Sequence, residues 1–136
     1  MSGGVHWVDA NVLLRFLTGE PEEMAKRAER LFENAERGEL SLRVHTVVVA
    51  ETAWVLQSFY GHSRADISDA LVSLLTEHAL KVEAASVVAR ALELMAHKNV
   101  DFADALLAES AKSAKEGVAS FDRDFRKLGV EFMEPE

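Results

Sequence analysis

Two spacings of apolar residues alternate along the chain. Val5 to Val8 is a short apolar-rich run that predicts a strand ending at Asp9. Asn11 to Leu17 predicts a short helix, stopped by Thr18, Gly19, Glu20 and Pro21. From there Met24, Ala28, Leu31, Phe32 and Ala35 recur at helical spacing, predicting a helix over 22–37 that Gly38 ends. Leu40, Leu42 and Val44 alternate as in a strand. The run Val47, Val48, Val49 alone would fit a buried strand. The length of 47–59, with Val47, Glu51, Trp54, Val55 and Ser58 at helical spacing, predicts a helix opened by Thr46 and ended by Gly61.

Ser63 to Asp66 reads as a capped start, and Ile67, Leu71, Leu74 and Leu75 form the stripe of the next helix. Leu80 to Val82 predicts a short strand, and Ser86 a helix with Val88, Ala91, Leu92 and Met95 inward. A further helix runs from Asp101 to Lys115 and stops at Gly117. Val118 to Ser120 predicts a strand, Asp122 to Leu128 a short helix, and Val130 to Phe132 the last strand. Helices alternating with short strands imply a three-layer α/β/α fold around a mostly parallel sheet. With no repeat, linker or low-complexity tract, residues 1–136 are expected to form a single domain.

Composition narrows the chemistry. There is no cysteine, so disulfides, thiolate metal sites and thiol catalysis are excluded, and a reducing, cytoplasmic setting is expected. No apolar run nears the ~20 residues of a membrane span, and no signal peptide is expected at the start. The net charge of −8 disfavours generic nucleic-acid binding, which relies on Lys and Arg. A nucleic-acid role would need bound cations or a local basic patch.

The positions of the acids matter more than their number. Asp9 ends the first strand, Asp122 follows the strand ending at Ser120, and Asp104 lies in the first turn of the helix opened at Asp101. In a parallel α/β sheet these points share the edge where ligands bind. Glu51 sits inside the apolar stretch VVVAETAWVL and is expected to be buried, hence paired or ligating a cation. Four gathered carboxylates repel one another unless a divalent cation neutralises them. Oxygen-only donors suit Mg²⁺ or Mn²⁺ better than zinc. Each acid also has a plain structural role open to it: Asp101 and Asp122 as N-caps, Asp104 as a favourable charge on a helix dipole, Asp124 as a solvated helix residue.

The ordered set VDANVLLRFLTGE, VVVAETAWVL, DFADALLAESA and ASFDRDFRKLGV resembles the PIN domain, and more narrowly the VapC-like toxins of type II toxin–antitoxin systems. The resemblance covers essentially the whole chain. It implies a five-stranded parallel sheet of order 3-2-1-4-5. It also implies a metal-dependent endoribonuclease in which Asp9, Glu51, Asp104 and Asp122 hold Mg²⁺ or Mn²⁺ and a metal-activated water cuts RNA, leaving a 5′-phosphate and a 3′-hydroxyl. Asn11 matches the family's D-x-N opening, with an amide expected to orient Asp9 or a water. Asp101 and Asp124 rank as auxiliary acids, and Ser120 stands where many members carry Thr. A homodimer and a VapB-like antitoxin partner are likewise implied. Arg15, one turn after Asn11, is the candidate RNA-phosphate contact.

Other readings are weaker. A haloacid-dehalogenase phosphatase needs D-x-D, and Asn11 cannot donate the proton. A receiver-like phosphoacceptor or binding module is the alternative class, but the late strand-end Lys-Pro is missing; a free-standing PIN nuclease without an antitoxin is another alternative. Ser63 in GHSRA lacks the second Gly of G-x-S-x-G, and no P-loop is present. His6, His45, His62, His78 and His97 show no ligand spacing. Lys26, Arg30 and Arg37 share a helix face, for which the i,i+4 pairs Glu22–Lys26, Glu23–Arg27 and Glu33–Arg37 are a simpler account than an RNA-tracking patch.

Overall fold

A computed structural model describes residues 3–136. The strands are β1 (Val5–Trp7), β2 (Ser41–Val44), β3 (Leu80–Val82), β4 (Val118–Ala119) and β5 (Phe132–Met133). The helices are α1 (Ala10–Thr18), α2 (Glu22–Glu36), α3 (Thr46–Ser58), α4 (Arg64–Glu77), α5 (Ala85–Lys98) and α6 (Phe102–Ser113). The segment Arg123–Leu128, expected to be α-helical, is a 3₁₀ helix. Six residues between two strand ends suit the tighter 3₁₀ winding, which is used in short pieces.

Local chemistry accounts for the boundaries. Asp9 caps α1 by accepting from the Val12 N–H at 3.1 Å. Gly19 ends α1 at φ 74°, a left-handed conformation that costs glycine little. Ser63 caps α4 through the Asp66 N–H at 3.1 Å, as its sequence predicts. The cap of α3 is His45, whose Nδ1 accepts from the Val47 N–H at 3.0 Å, one residue before the expected Thr46. Along α2 the Glu22–Lys26 pair forms at 2.9 Å, whereas Arg37 turns to Glu39 at 3.1 Å rather than to Glu33.

The sheet departs from the expected 3-2-1-4-5 order. Strands β1, β2 and β3 form a parallel sheet in that order, with Val5 opposite Ser41 and Leu42 opposite Leu80. Strands β4 and β5 form a separate parallel pair, Val118 opposite Phe132. The expected neighbours 3-2-1 and 4-5 are therefore present, but among the described residues no β1–β4 ladder joins them into five strands. Length is the physical reason. β4 has two residues, and its flanking donors go to β5: the Val118 N–H to the Glu131 carbonyl at 2.8 Å and the Ser120 N–H to that of Met133 at 3.0 Å. Parallel pairing is the weaker ladder per residue, so so short a strand gains little from a second partner. As a result Val5 and Trp7 of β1 are each 54% exposed. Gly117 lets β4 approach β5, since a Cβ there would stand 2.9 Å from the Glu131 carbonyl oxygen.

One contiguous core ties the elements together, with Leu13, Phe32, Leu42, Val44, Leu71, Leu92 and Ala105 fully buried. α2 packs on α1, α1 on α3, α3 on α4 and α6, and α5 on both α4 and α6. The architecture is α/β, alternating helices and short parallel strands along the chain, as the apolar spacing predicts.

Candidate active site

The predicted acids fall into two groups. Asp9, at the end of β1, and Glu51, one turn into α3, line one cleft of about 430 Å³ with Asn11, Leu14, Arg15, Val55, Phe59 and Tyr60. Both carboxylates are exposed. That corrects the expectation that Glu51 is buried. α3 turns Val49, Thr52, Ala53 and Leu56 inward, so Glu51 lies on its open face together with Val47 and Trp54. Trp54, the large aromatic of the same stretch, is 66% exposed. No charge had to be buried inside the apolar stretch, because the stretch is a helix with one face in solvent, and the buried Thr52 hydroxyl donates to the Val48 carbonyl at 2.7 Å.

The second group gathers at the start of α6 and the 3₁₀ helix. The Asp104 carboxyl holds its proton more tightly than an ordinary aspartate, through partial burial first and then through the negative charges of Asp122, Asp101 and Asp124. Asp122 caps the 3₁₀ helix, its Oδ1 accepting from the Asp124 N–H at 2.9 Å, and the Ser120 hydroxyl accepts from the Asp122 N–H at 2.9 Å. Ser120 thus shapes the turn that presents Asp122. Asp101 occupies the N-cap position of α6 but makes no cap hydrogen bond. Its carboxylate instead pairs with Arg64 at 2.7 Å, and the same guanidinium donates to Asn99 at 2.8 Å, tying α4 to the entrance of α6.

Asn11 shares the first cleft, yet the Asp9 carboxylate takes its hydrogen bond from the Val12 N–H, and among the described residues the Asn11 amide has no partner. The expected Asn11–Asp9 contact is therefore not formed. Arg15 stands in the cleft as its spacing suggests. Sequence reasoning missed Glu109. It is the charged side chain buried deepest among the described residues, 6% exposed, and it pairs with Arg90 at 3.2 Å and Lys112 at 2.5 Å. Lys112 also donates to the Leu128 carbonyl at 3.0 Å, which anchors the 3₁₀ helix to α6. The signal was a Glu in the alanine-rich face DALLAES, a helical partner position for Lys112 three residues on.

The donor set fits a hard cation by its chemistry, since all four acids offer oxygen and the Asp104 group repels itself. Its geometry is incomplete: among the described residues no three acidic or histidine side chains converge on one point.

A model of the PIN domain matches residues 7–131, and the chain belongs to that family. Within it the chain is VapC-like: it is 33% identical to a VapC ribonuclease of Aquifex aeolicus (strain VF5) over 131 residues, 94% of this chain and 95% of the relative. A crystal structure of VapBC2 from Rickettsia felis, bound to a DNA fragment from their promoter, aligns over 96% of this chain and 98% of that one. Its identity is 14% and its TM-score 0.38, a likeness too low to carry an argument.

Proposed function

We propose that this chain is a single-domain, metal-dependent endoribonuclease, the toxin of a VapBC-type pair. The observation that carries the reading is that Asp9 and Glu51, distant in sequence and on different elements, meet in one open cleft beside the cationic Arg15. A phosphodiester entering that cleft meets a guanidinium for its charge and carboxylates positioned for a cation. The similarity to a VapC ribonuclease over nearly the whole chain supports the same reading.

Asp9, Glu51, Asp104 and Asp122 are the residues that would hold Mg²⁺ or Mn²⁺ once the two groups meet. A divalent ion in such a set supplies water activation and charge neutralisation at the phosphate. The chain's own residues do the positioning. Val12 fixes Asp9 through its N–H, Ser120 and the Asp124 N–H set the turn at Asp122, and Arg64 holds Asp101 beside Asp104. Asp124 and Asp101 add negative charge around Asp104, and Arg15 takes a phosphate oxygen of the RNA. A cytoplasmic homodimer with a VapB-like antitoxin completes the proposal.

The test is Asp9→Asn. The exchange keeps size and the Val12 hydrogen bond but removes the anion, so the protein should fold as before and lose RNA cleavage by roughly 10²-fold or more, the scale of one lost electrostatic contact in a transition state. Cleavage at the wild-type rate by folded Asp9→Asn overturns the assignment.

A further inference from the structure

Part of the lining of the first cleft has no metal-binding chemistry. It consists of Arg15, Val55, Phe59 and Tyr60. Phe59 is 78% exposed, more than any other large apolar side chain among the described residues. Leaving a phenyl ring in water forgoes the stabilisation that burial brings, so the ring is available to a ligand. Tyr60 meets it edge-on, ring centroids 5.0 Å apart at 80°, and stacks in turn beside His62 at 6.3 Å and 18°. Phe59 is thereby held against a neighbouring ring while most of its surface stays open.

Arg15 adds the second feature. Its Nη1 donates to the Glu20 carbonyl at 3.3 Å and its Nε is shut away from solvent, while its Nη2 has no hydrogen-bond partner among the described residues. A guanidinium nitrogen with no protein partner matches phosphate oxygens. Ring, cation and carboxylates stand around one space of about 430 Å³, within the ~300–1,000 Å³ of small-ligand clefts. A base, its phosphate and the neighbouring phosphodiester present those needs in that order. An apolar peptide would cover Phe59 but leave the Arg15 donor unmet.

We propose that this cleft is a nucleotide subsite for single-stranded RNA, in which an unpaired base stacks on Phe59 and the phosphate adjoining the scissile one pairs with Arg15. The proposal rests on the ribonuclease reading and deepens it. Bases in a duplex are already stacked and paired, so the subsite selects an unpaired nucleotide next to the cut. Stacking on an aromatic face is tolerant of base identity, so the selection is for strandedness rather than sequence.

The test measures binding in the Asp9→Asn background, so that the RNA stays whole. The probe is a short single-stranded oligoribonucleotide carrying a fluorescent adenine analogue whose emission is quenched by stacking. The parent should bind and quench it. Phe59→Ala should weaken binding about 5- to 100-fold and abolish the quench, with Phe59→Trp restoring both. Phe59 is so exposed that its Ala variant should melt as the parent does. Arg15→Gln should weaken binding and reduce the logarithmic salt slope by about 0.7, the share of one phosphate contact, whereas Arg15→Lys should keep the slope. If the parent binds RNA but Phe59→Ala and Arg15→Gln leave affinity, quench and slope unchanged, the subsite is overturned and the ribonuclease reading stands. If the cleft captures an apolar peptide through Phe59 while RNA binding ignores it, the subsite is likewise overturned. If the parent binds no RNA and the wild type cuts none, both readings fall.

Discussion

The two acid groups differ in what accompanies them. Around Asp9 and Glu51 stand a guanidinium, two aromatic rings and an open cleft. Around Asp104 stand three further aspartates, with Arg64 engaged by Asp101. The first group can meet a polyanion without a cation, because Arg15 is already there. The second repels any phosphate until its own charge is neutralised. Under the proposed function, the comparison separates two tasks that a list of four acids would merge: receiving the RNA backbone, and requiring the ion.

The largest effect that would break this comparison is functional independence of the two groups. Glu51→Gln from the first and Asp104→Asn from the second should each lower single-turnover RNA cleavage by about 10²-fold or more at fixed Mn²⁺. If both serve one centre, the double variant should be little worse than either single. Losses that multiply would mean two separate sites.

Smaller, and read without catalysis, is the effect of the ion on stability. Mg²⁺ or Mn²⁺ should raise the melting temperature, contributing about 2.7 kcal/mol at a hundredfold excess over Kd, and chelation should reverse it. The Asp104→Asn variant should gain less than the wild type, because it removes charge from the group that most needs the ion. A melting curve indifferent to millimolar metal would count against the joined site.

Most of the architecture could be read from spacing, because each helix with a one-sided apolar stripe announces both its period and its buried face. α4 shows this, with Ile67, Leu71 and Leu74 buried as their positions predict. α3 shows the limit. Apolar residues surround VVVAETAWVL on all sides, so the period identifies a helix but not which face is inward; Val47, Glu51 and Trp54 kept the spacing and turned outward. The sheet shows another limit. Strand pairing depends on a few backbone hydrogen bonds at strands of two or three residues, and no side-chain pattern encodes whether β1 meets β4. The acids at strand ends and helix starts were legible because those positions share one edge in any parallel α/β sheet. Their partition into two groups was not, since it follows from that unjoined sheet. The cap bonds of Asp9 and Asp122 show that the plain reading of each acid is also true: both cap a helix while standing in the site.

Glu109 sharpens the comparison from within α6. Asp104 and Glu109 lie on the same helix, one among like charges and the other buried between Arg90 and Lys112. Removing the anion at 109 leaves Lys112 without its carboxylate and weakens its hold on Leu128. Glu109→Gln should therefore destabilise by about 1–3 kcal/mol in urea unfolding, less than for a fully enclosed pair because Arg90 is half exposed. A loss this size with metal-dependent stabilisation retained would mark Glu109 as part of the frame. An unchanged midpoint would remove it from that role.

The smallest expected effect has the opposite sign. Asp104 has its proton held more tightly in the folded chain than its ordinary value of 3.8, through burial and then through Asp122, Asp101 and Asp124. The folded state thus binds more protons than the unfolded state as pH rises above 3.8, and stability falls over that window. Its contribution is fully present below 3.8 and is lost as pH climbs through the raised folded value. At neutral pH and without metal, ionised Asp104 costs stability, so Asp104→Asn should be more stable than the wild type, by less than ~1 kcal/mol for a group only partly buried. The gain should shrink as pH is lowered towards 3.8, where the wild-type carboxyl is largely neutral, and saturating Mg²⁺ should reverse it by stabilising the wild-type anion more than the variant. Urea midpoints of both proteins at neutral and acidic pH, with chelator and with Mg²⁺, measure all four corners. If Asp104→Asn is no more stable than the wild type at neutral pH in chelator, like-charge repulsion does not govern this group, and the contrast with the Arg15 side of the site loses its electrostatic basis.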